Sequence, residues 1–279
     1  ALGHGVQIYD DSAFSLGVPK SQIYCGGDLP TAVSLADSRV FVGTRKGAIL
    51  IFDTRDAAAP EYDATLQASS AVCAIAVHDS LVYVLGDSCL EVMCVGLRGM
   101  GSRCSTIPVL NVLGGHGLTV RDGMLFVAAG DFLTYSLANP AVPELLSSTE
   151  VPDAASDAIL SGSTAIIACQ SEWLPASSSS VVTVDIADPA CPQALDTFAV
   201  IGDCQHIDLC QPLAVVSAGK SGLLAIDVSN PRSMFLAGCF KTPSRSGPLA
   251  KLGSKIISSD LYDYFTGEEY YNHCDPWAP

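Results

Sequence analysis

Residues 180–192, SVVTVDIADPACP, are rewritten along the whole chain, and this repetition limits the possible folds more than any other feature. The copies are SGLLAIDVSNPRS at 221–233, GAILIFDTRDAAAP at 47–60, DFLTYSLANPAVP at 131–143, CLEVMCVGLRGMG at 89–101 and GVQIYDDSAF from Gly5. Each passes from a small-residue turn through a short apolar or β-branched run, often to an Asp, and closes in a polar corner commonly sealed by Pro. That order reads as a buried strand ending in a tight turn.

The copies keep a period. The small turns two strands ahead of the motif fall at Asp37-Ser38, Asp79-Ser80, Asp122-Gly123, Gly162-Ser163, Gln211-Pro212 and Gly253-Ser254, spaced by 42, 43, 40, 49 and 42 residues. The long interval contains the insertion SEWLPASSSS at 171–180. Four strands are predicted per period: 31–36, 39–44, 48–53 and 61–67 in the first unit, and 71–78, 81–87, 90–95 and 105–113 in the second. The third unit follows with 117–121, 124–130, 132–137 and 143–151, the fourth with 155–160, 164–169, 181–186 and 193–201, and the fifth with 205–210, 213–219, 223–228 and 234–242. The second and third strands of each unit are nearly all apolar, as strands covered on both faces must be.

Four-stranded units at this period predict an all-β six-bladed β-propeller. The last blade combines C-terminal strands at 248–252 and 255–259 with N-terminal strands at 5–10 and 20–26, which protects edges an open array would expose. A competing count lets 262–271 complete its own blade and makes the N-terminal pair half of a seventh. The expected organisation is one domain over 1–279, with the acidic, aromatic segment 261–279 packing on the propeller.

Hydrophobic residues make up 49% of the chain and charged residues 15%, which excludes a disordered protein. A net charge of −15 argues against nucleic acid as a partner. No apolar run reaches the length of a membrane span, so membrane insertion is not expected. No signal peptide is legible before Ala1, and a processed start and a late start both fit.

The 11 Cys are an odd count with no regular spacing. Cys73, Cys94, Cys169, Cys204, Cys210 and Cys239 fall inside expected strands and read as buried apolar thiols, whereas Cys89, Cys104, Cys191 and Cys274 lie nearer loops and suit disulfides. A Cys25–Cys274 staple between the termini and two free thiols are both open readings.

The copies VVTVDIADPACP and LLAIDVSNP, with AVVSAGKSG before the latter, resemble the LVIVD repeat, whose unit has an aliphatic run, Asp, an aliphatic residue, Ser and then Asp-Pro or Asn-Pro. The likeness is close in the fourth and fifth units and poor in the second, where Val95 replaces the Asp. It implies a propeller, often secreted or on the cell surface, with no single activity attached and no catalytic residue to carry over. An intracellular setting is the alternative.

If the first strand of each unit is innermost, positions six and five before the turns sample a central channel. They are Thr31, Cys73, His116, Ser156, Gln205 and Gly247, then Ala32, Ala74, Gly117, Asp157, His206 and Pro248. His116, Asp157 and His206, with Asp203, form the sharpest candidate set for a transition metal or acid–base work, and Cys204 and His206 have Cys-x-His spacing but no second such pair to make a zinc site. No cofactor and no catalytic residue is otherwise implied, since AGKS at 218–221 has no helix after it to make a phosphate loop. Asp10, Asp53, Asp185 and Asp227, which end the third strands, are expected to accept hydrogen bonds from turn N–H groups.

Partner-binding candidates are Glu172 and Trp173 in the fourth-unit insertion and Tyr264, Phe265, Tyr270, Tyr271 and Trp277 in the C-terminal segment. Arg98, Arg103 and Arg121 form a possible basic spot on an acidic chain. By elimination the chain reads as a non-catalytic protein-interaction or structural assembly module contacting other proteins. The alternative is an ion-binding or hydrolytic propeller using the His/Asp set at the channel mouth.

Overall fold

Strand and corner alternate along the chain as the apolar runs and turn residues require. In the computed structural model, residues 5–9, 18–96, 101–109, 115, 117–171, 178–243, 245–252 and 255–261 are described. Two short strands come first, β1 (Gly5–Ile8) and β2 (Ser21–Tyr24), paired antiparallel. The first four-stranded sheet holds β3 (Pro30–Ala36), β4 (Arg39–Thr44), β5 (Ala48–Asp53) and β6 (Glu61–Gln67). The second holds β7 (Val72–His78), β8 (Leu81–Gly86), β9 (Cys89–Cys94) and β10 (Ser102–Pro108). The third holds β11 (Gly117–Arg121), β12 (Met124–Ala129), β13 (Asp131–Ser136) and β14 (Glu144–Thr149).

The fourth sheet is β15 (Ala154–Ser161), β16 (Thr164–Gln170), β17 (Ser178–Asp185) and β18 (Gln193–Ile201), and the fifth is β19 (His206–Cys210), β20 (Leu213–Ser217), β21 (Leu223–Asp227) and β22 (Phe235–Phe240). A final pair, β23 (Arg245–Leu252) and β24 (Lys255–Leu261), forms its own two-stranded sheet. Neighbouring strands in each sheet follow chain order, so every connection is a hairpin. Among the described residues the one helical element is a 3-10 turn at Gly219–Ser221, and no helix is long and apolar enough to cross a membrane.

Four of the hairpin turns that set the period share a conformation. Asp37, Asp79 and Asp122 have φ of +54°, +54° and +53°, and Gly162 has +56°. Asp tolerates this left-handed region better than branched residues do, because its short side chain bonds locally, and Gly does so without steric cost. The turn type therefore selects the residue type at these four repeats, while the fifth turn, Gln211-Pro212, is built differently, on a cis peptide bond.

The chain forms two compact units, residues 1–125 with 135–144, and 126–134 with 145–279. In the first, Phe41, Ile49, Ile51, Leu66, Val82 and Val84 build an apolar core between the first two sheets, and β7 packs beside both β3 and β11. Val6, Ile8 and Ile23 of the β1–β2 pair cover Val40 and Val42. In the second unit, Ile166, Val181, Ile207, Val216 and Ile226 do the same between the fourth and fifth sheets, and β19 packs beside both β15 and β23. Ile256 and Leu249 of the last pair cover Val215 and Leu223. First strands thus stack on first strands.

Several expectations are corrected. Ser178–Ser180 extend β17, whose register pairs Ser178 with Ile201, rather than belonging to an insertion. The fourth strand of the second sheet starts at Ser102, three residues before its expected start, and ends at Pro108. Cys94 is bonded to Cys104 and is not a free apolar thiol. Cys239 is exposed on β22, the edge strand of its sheet, and Cys73 and Cys210 are half-buried. Cys89 and Cys191 are unpaired, Cys25 is buried, and Cys274 lies outside the described residues.

Candidate functional site

The strand-end Asp residues turn the corners they were assigned to. Asp53, Asp185 and Asp227 each accept, through Oδ1, the backbone N–H two residues on, at 2.9 Å. Asp10 lies outside the described residues. A second tier follows three residues later, where Asp56, Asn139, Asp188 and Asn230 accept from Ala58, Ala141, Ala190 and Arg232 at 3.0, 3.3, 3.1 and 3.1 Å. This is the physical content of the Asp-Pro or Asn-Pro ending, because the side chain mimics a backbone turn. The Arg55 side-chain hydrogen bond holds the Asp53 carboxyl below the usual carboxylate range, and the Ser229 hydroxyl does so for Asp227.

Three of the positions six before the turns are β-bulge residues. Register slips between Pro30 and Ala32, between Val72 and Ala74, and between Ala155 and Asp157, leaving Thr31, Cys73 and Ser156 as the extra residues. A bulge re-aims its side chain, and here the hydroxyls reach the next sheet. Thr31 Oγ1 donates to Val72 O at 2.5 Å, and Ser156 Oγ donates to Cys204 O at 2.8 Å. Cys73 Sγ lies 3.7 Å from Asp87 Oδ1. Thr31 thus ties β3 to β7 and Ser156 ties β15 to the residues leading into β19, whereas the Cys73 contact with Asp87 stays within its own sheet.

Asp157 and His206 do come together, with His206 Nδ1 3.7 Å from Asp157 Oδ2 and both side chains mostly buried. The carboxylate is already engaged. It accepts the N–H of Ala158 at 2.8 Å and, from the neighbouring sheet, that of Ile207 at 3.2 Å. Asp203 is paired with Arg245, beside the Gly219 turn, where a Cβ would press on the Asp203 carboxylate. His116 lies outside the described residues, and among the described residues no group of three His, Cys, Asp or Glu side chains is placed to hold a metal ion. Glu172, Trp173, Tyr264, Phe265, Tyr270, Tyr271 and Trp277 also lie outside them.

The expected basic spot is neutralised. Arg103 Nε meets Glu91 Oε1 at 2.9 Å, and Arg121 Nε lies 3.5 Å from Asp122 Oδ2. Arg98 lies outside the described residues. The cluster around Glu91 was not read from the sequence. This carboxylate is 1% exposed, and it also accepts from Ser69 N at 3.0 Å and Ser69 Oγ at 2.8 Å. Its signal was a lone acid inside the otherwise apolar strand CLEVMC.

No family model matches the sequence, and no curated protein matches it. Among solved structures it is similar to the Myceliophteria thermophila Cps50 (Swd1) β-propeller domain, at 11% identity and a TM-score of 0.68 over 86% of this chain and 83% of that one. It is similar also to BamB from Moraxella catarrhalis, at 10% identity and a TM-score of 0.58 over 87% and 86%. The computationally designed Ika8 protein matches at 13% identity and a TM-score of 0.62 over 89% and 76%. Likeness at such identities carries the fold alone: an all-β chain of four-stranded antiparallel sheets like those of β-propellers.

Proposed function

We propose that the chain is a single six-bladed propeller domain of LVIVD type serving as a non-catalytic protein-interaction or structural assembly module. The observation that carries this reading is where apolar side chains remain open. The fourth strands present Tyr62, Leu145, Ile201, Phe235 and Leu236 to solvent, at 62%, 51%, 83%, 55% and 46% exposure, and β3 presents Val33 and Leu35. Polar side chains near the first strands, by contrast, are spent on backbone ties between sheets. Recognition needs only surface, whereas catalysis needs unspent groups held together.

Support for the sixth blade comes from Ser21. Its hydroxyl donates to Ala57 O at 2.6 Å, as Ser105 on β10 does to Ala141 O at 2.7 Å and Ser147 on β14 does to Pro189 O at 2.9 Å. In that role β2 is the fourth strand of a blade ahead of the first sheet, and β23–β24 supply a first and second strand.

The partner surface includes the segment with Glu172 and Trp173 and the C-terminal aromatic segment, in a secreted or cell-surface setting. The test is association of the tagged chain, isolated from its native source, compared with Trp173→Ala and with a Tyr270→Ala/Tyr271→Ala variant. Loss of a stoichiometric protein partner at unchanged melting temperature supports the reading. The ion-binding or hydrolytic alternative rests on the Asp157–His206 approach, and a stoichiometric bound metal, lost in His206→Ala, would replace the interaction reading with it.

A further inference from the structure

In the second sheet the extra residue of the β9–β10 bulge is a cysteine. Register runs Ser102 to Cys94 and Arg103 to Met93, then resumes with Ser105 opposite Val92, so Cys104 stands outside the ladder. It is bonded to Cys94, the last residue of β9, with 6.6 Å between their Cα atoms. Both are half-buried, within reach of a small thiol reagent.

The disulfide adjoins Arg103, which links the buried acid of this sheet to the end of the sheet before it. Arg103 Nε meets Glu91 Oε1 at 2.9 Å, and its Nη2 donates to Gln67 O, the end of β6, at 3.3 Å. Ser69, in the connection from β6 to β7, donates twice to the same carboxylate. Gly101 packs directly on Leu66, and a cleft opens beside this contact. Thr65, Leu66, Gln67, Met93, Gly101, Ser102 and Arg103 line a cleft of about 390 Å³ between the two sheets. Arg103 thus spans a seam that apolar contacts only partly close.

We propose that the Cys94–Cys104 disulfide is a redox-sensitive clamp that holds Arg103 across the seam between the first and second sheets. Cys104 has no ladder partner of its own, so between the pairs Arg103–Met93 and Ser105–Val92 the covalent bond adds a restraint that the ladder lacks beside Arg103. Reduction by a dithiol proceeds by exchange. A reagent thiolate attacks one sulfur and breaks the S–S bond, the second reagent thiol then displaces the resulting mixed disulfide, and two protein thiols and one oxidised reagent result. Freed of the bond, β10 loosens at the bulge, Arg103 leaves Glu91 and Gln67, and the seam opens. This device is independent of the partner-binding reading.

The test is hydrogen exchange of the full chain before and after dithiothreitol, with mass spectrometry reporting the state of the Cys94–Cys104 pair. Reduction is expected to speed exchange in residues 66–70 and 102–106 by roughly tenfold, with reoxidation reversing it. A Cys94→Ser/Cys104→Ser variant should exchange like the reduced protein and ignore dithiothreitol, whereas Cys89→Ser keeps the response. Oxidised Glu91→Gln should already exchange faster than oxidised wild type in residues 66–70, where Ser69 loses its carboxylate acceptor. Purified protein lacking the disulfide, or reduced protein exchanging like the oxidised form, overturns the proposal. Should the double variant fail to fold, the comparison of oxidised and reduced wild-type protein decides alone.

Discussion

Thr183 Oγ1 donates to the carbonyl oxygen of Pro231 at 2.6 Å, across 48 positions of sequence. Thr183 lies on β17, and Pro231 follows the Asn that closes the corner of the next sheet. Tyr83 OH and Pro140 O, 3.0 Å apart, repeat the arrangement in the other unit. Corner carbonyls that lie outside every ladder are thus satisfied by hydroxyls of the preceding sheet.

Thr183→Val keeps the shape of a fully buried side chain and removes its donor, leaving Pro231 O unpaired. The expected cost is about 1–2 kcal/mol in urea unfolding, and a similar cost is expected for Tyr83→Phe. The two sites share no partner, so the double variant should lose the sum within about 0.5 kcal/mol. A neutral Thr183→Val would show that the corner carbonyl finds water instead.

Arg103→Gln removes the charge facing the buried Glu91 and leaves that carboxylate to Ser69 alone. A loss of about 2–3 kcal/mol is expected, below the full value for a buried pair because Arg103 is itself 42% exposed on its side chain. Adding Glu91→Gln should recover part of the loss, and a double-mutant cycle by chemical denaturation measures the coupling.

Thiol reactivity should divide by burial. Burial pushes the Cys169 thiol up to about 12 and Cys204 well above its ordinary value, so little thiolate forms at either. Cys73, pushed up to about 11 by burial, should also react slowly. Exposed Cys191 and Cys239 should label with iodoacetamide near pH ~8 well before these three do. Peptide mapping of a labelling time course checks the order, and fast labelling of native Cys169 would contradict it.

Acid should loosen the corners. The folded carboxyls of Asp53 and Asp227 lie below 3.8, so as pH falls the unfolded chain takes up their protons first. Their contribution is present above 3.8 and fades as pH drops through the folded values. Asp227→Asn retains the acceptor oxygen without the titration, so its melting temperature should fall less steeply than wild type between pH ~6 and ~2. Parallel slopes for the two proteins would rule out this origin.

The period, the hairpin order and most strand limits were legible in the sequence. β4, β5 and β6 lie where 39–44, 48–53 and 61–67 were expected, because apolar alternation and turn residues act over a few neighbours. The corner role of Asp53, Asp185 and Asp227 was legible for the same reason, since donor and acceptor are two residues apart. Only tertiary structure decided that Thr31 and Ser156 are bulge ties, that Cys94 bonds Cys104, and that Glu91 meets Arg103 and Ser69. Each of these depends on a register slip or on a neighbouring sheet. A one-residue bulge sends a side chain to a different neighbour while leaving the apolar pattern almost unchanged, so sequence periodicity carries the blades and not the partners their polar residues find.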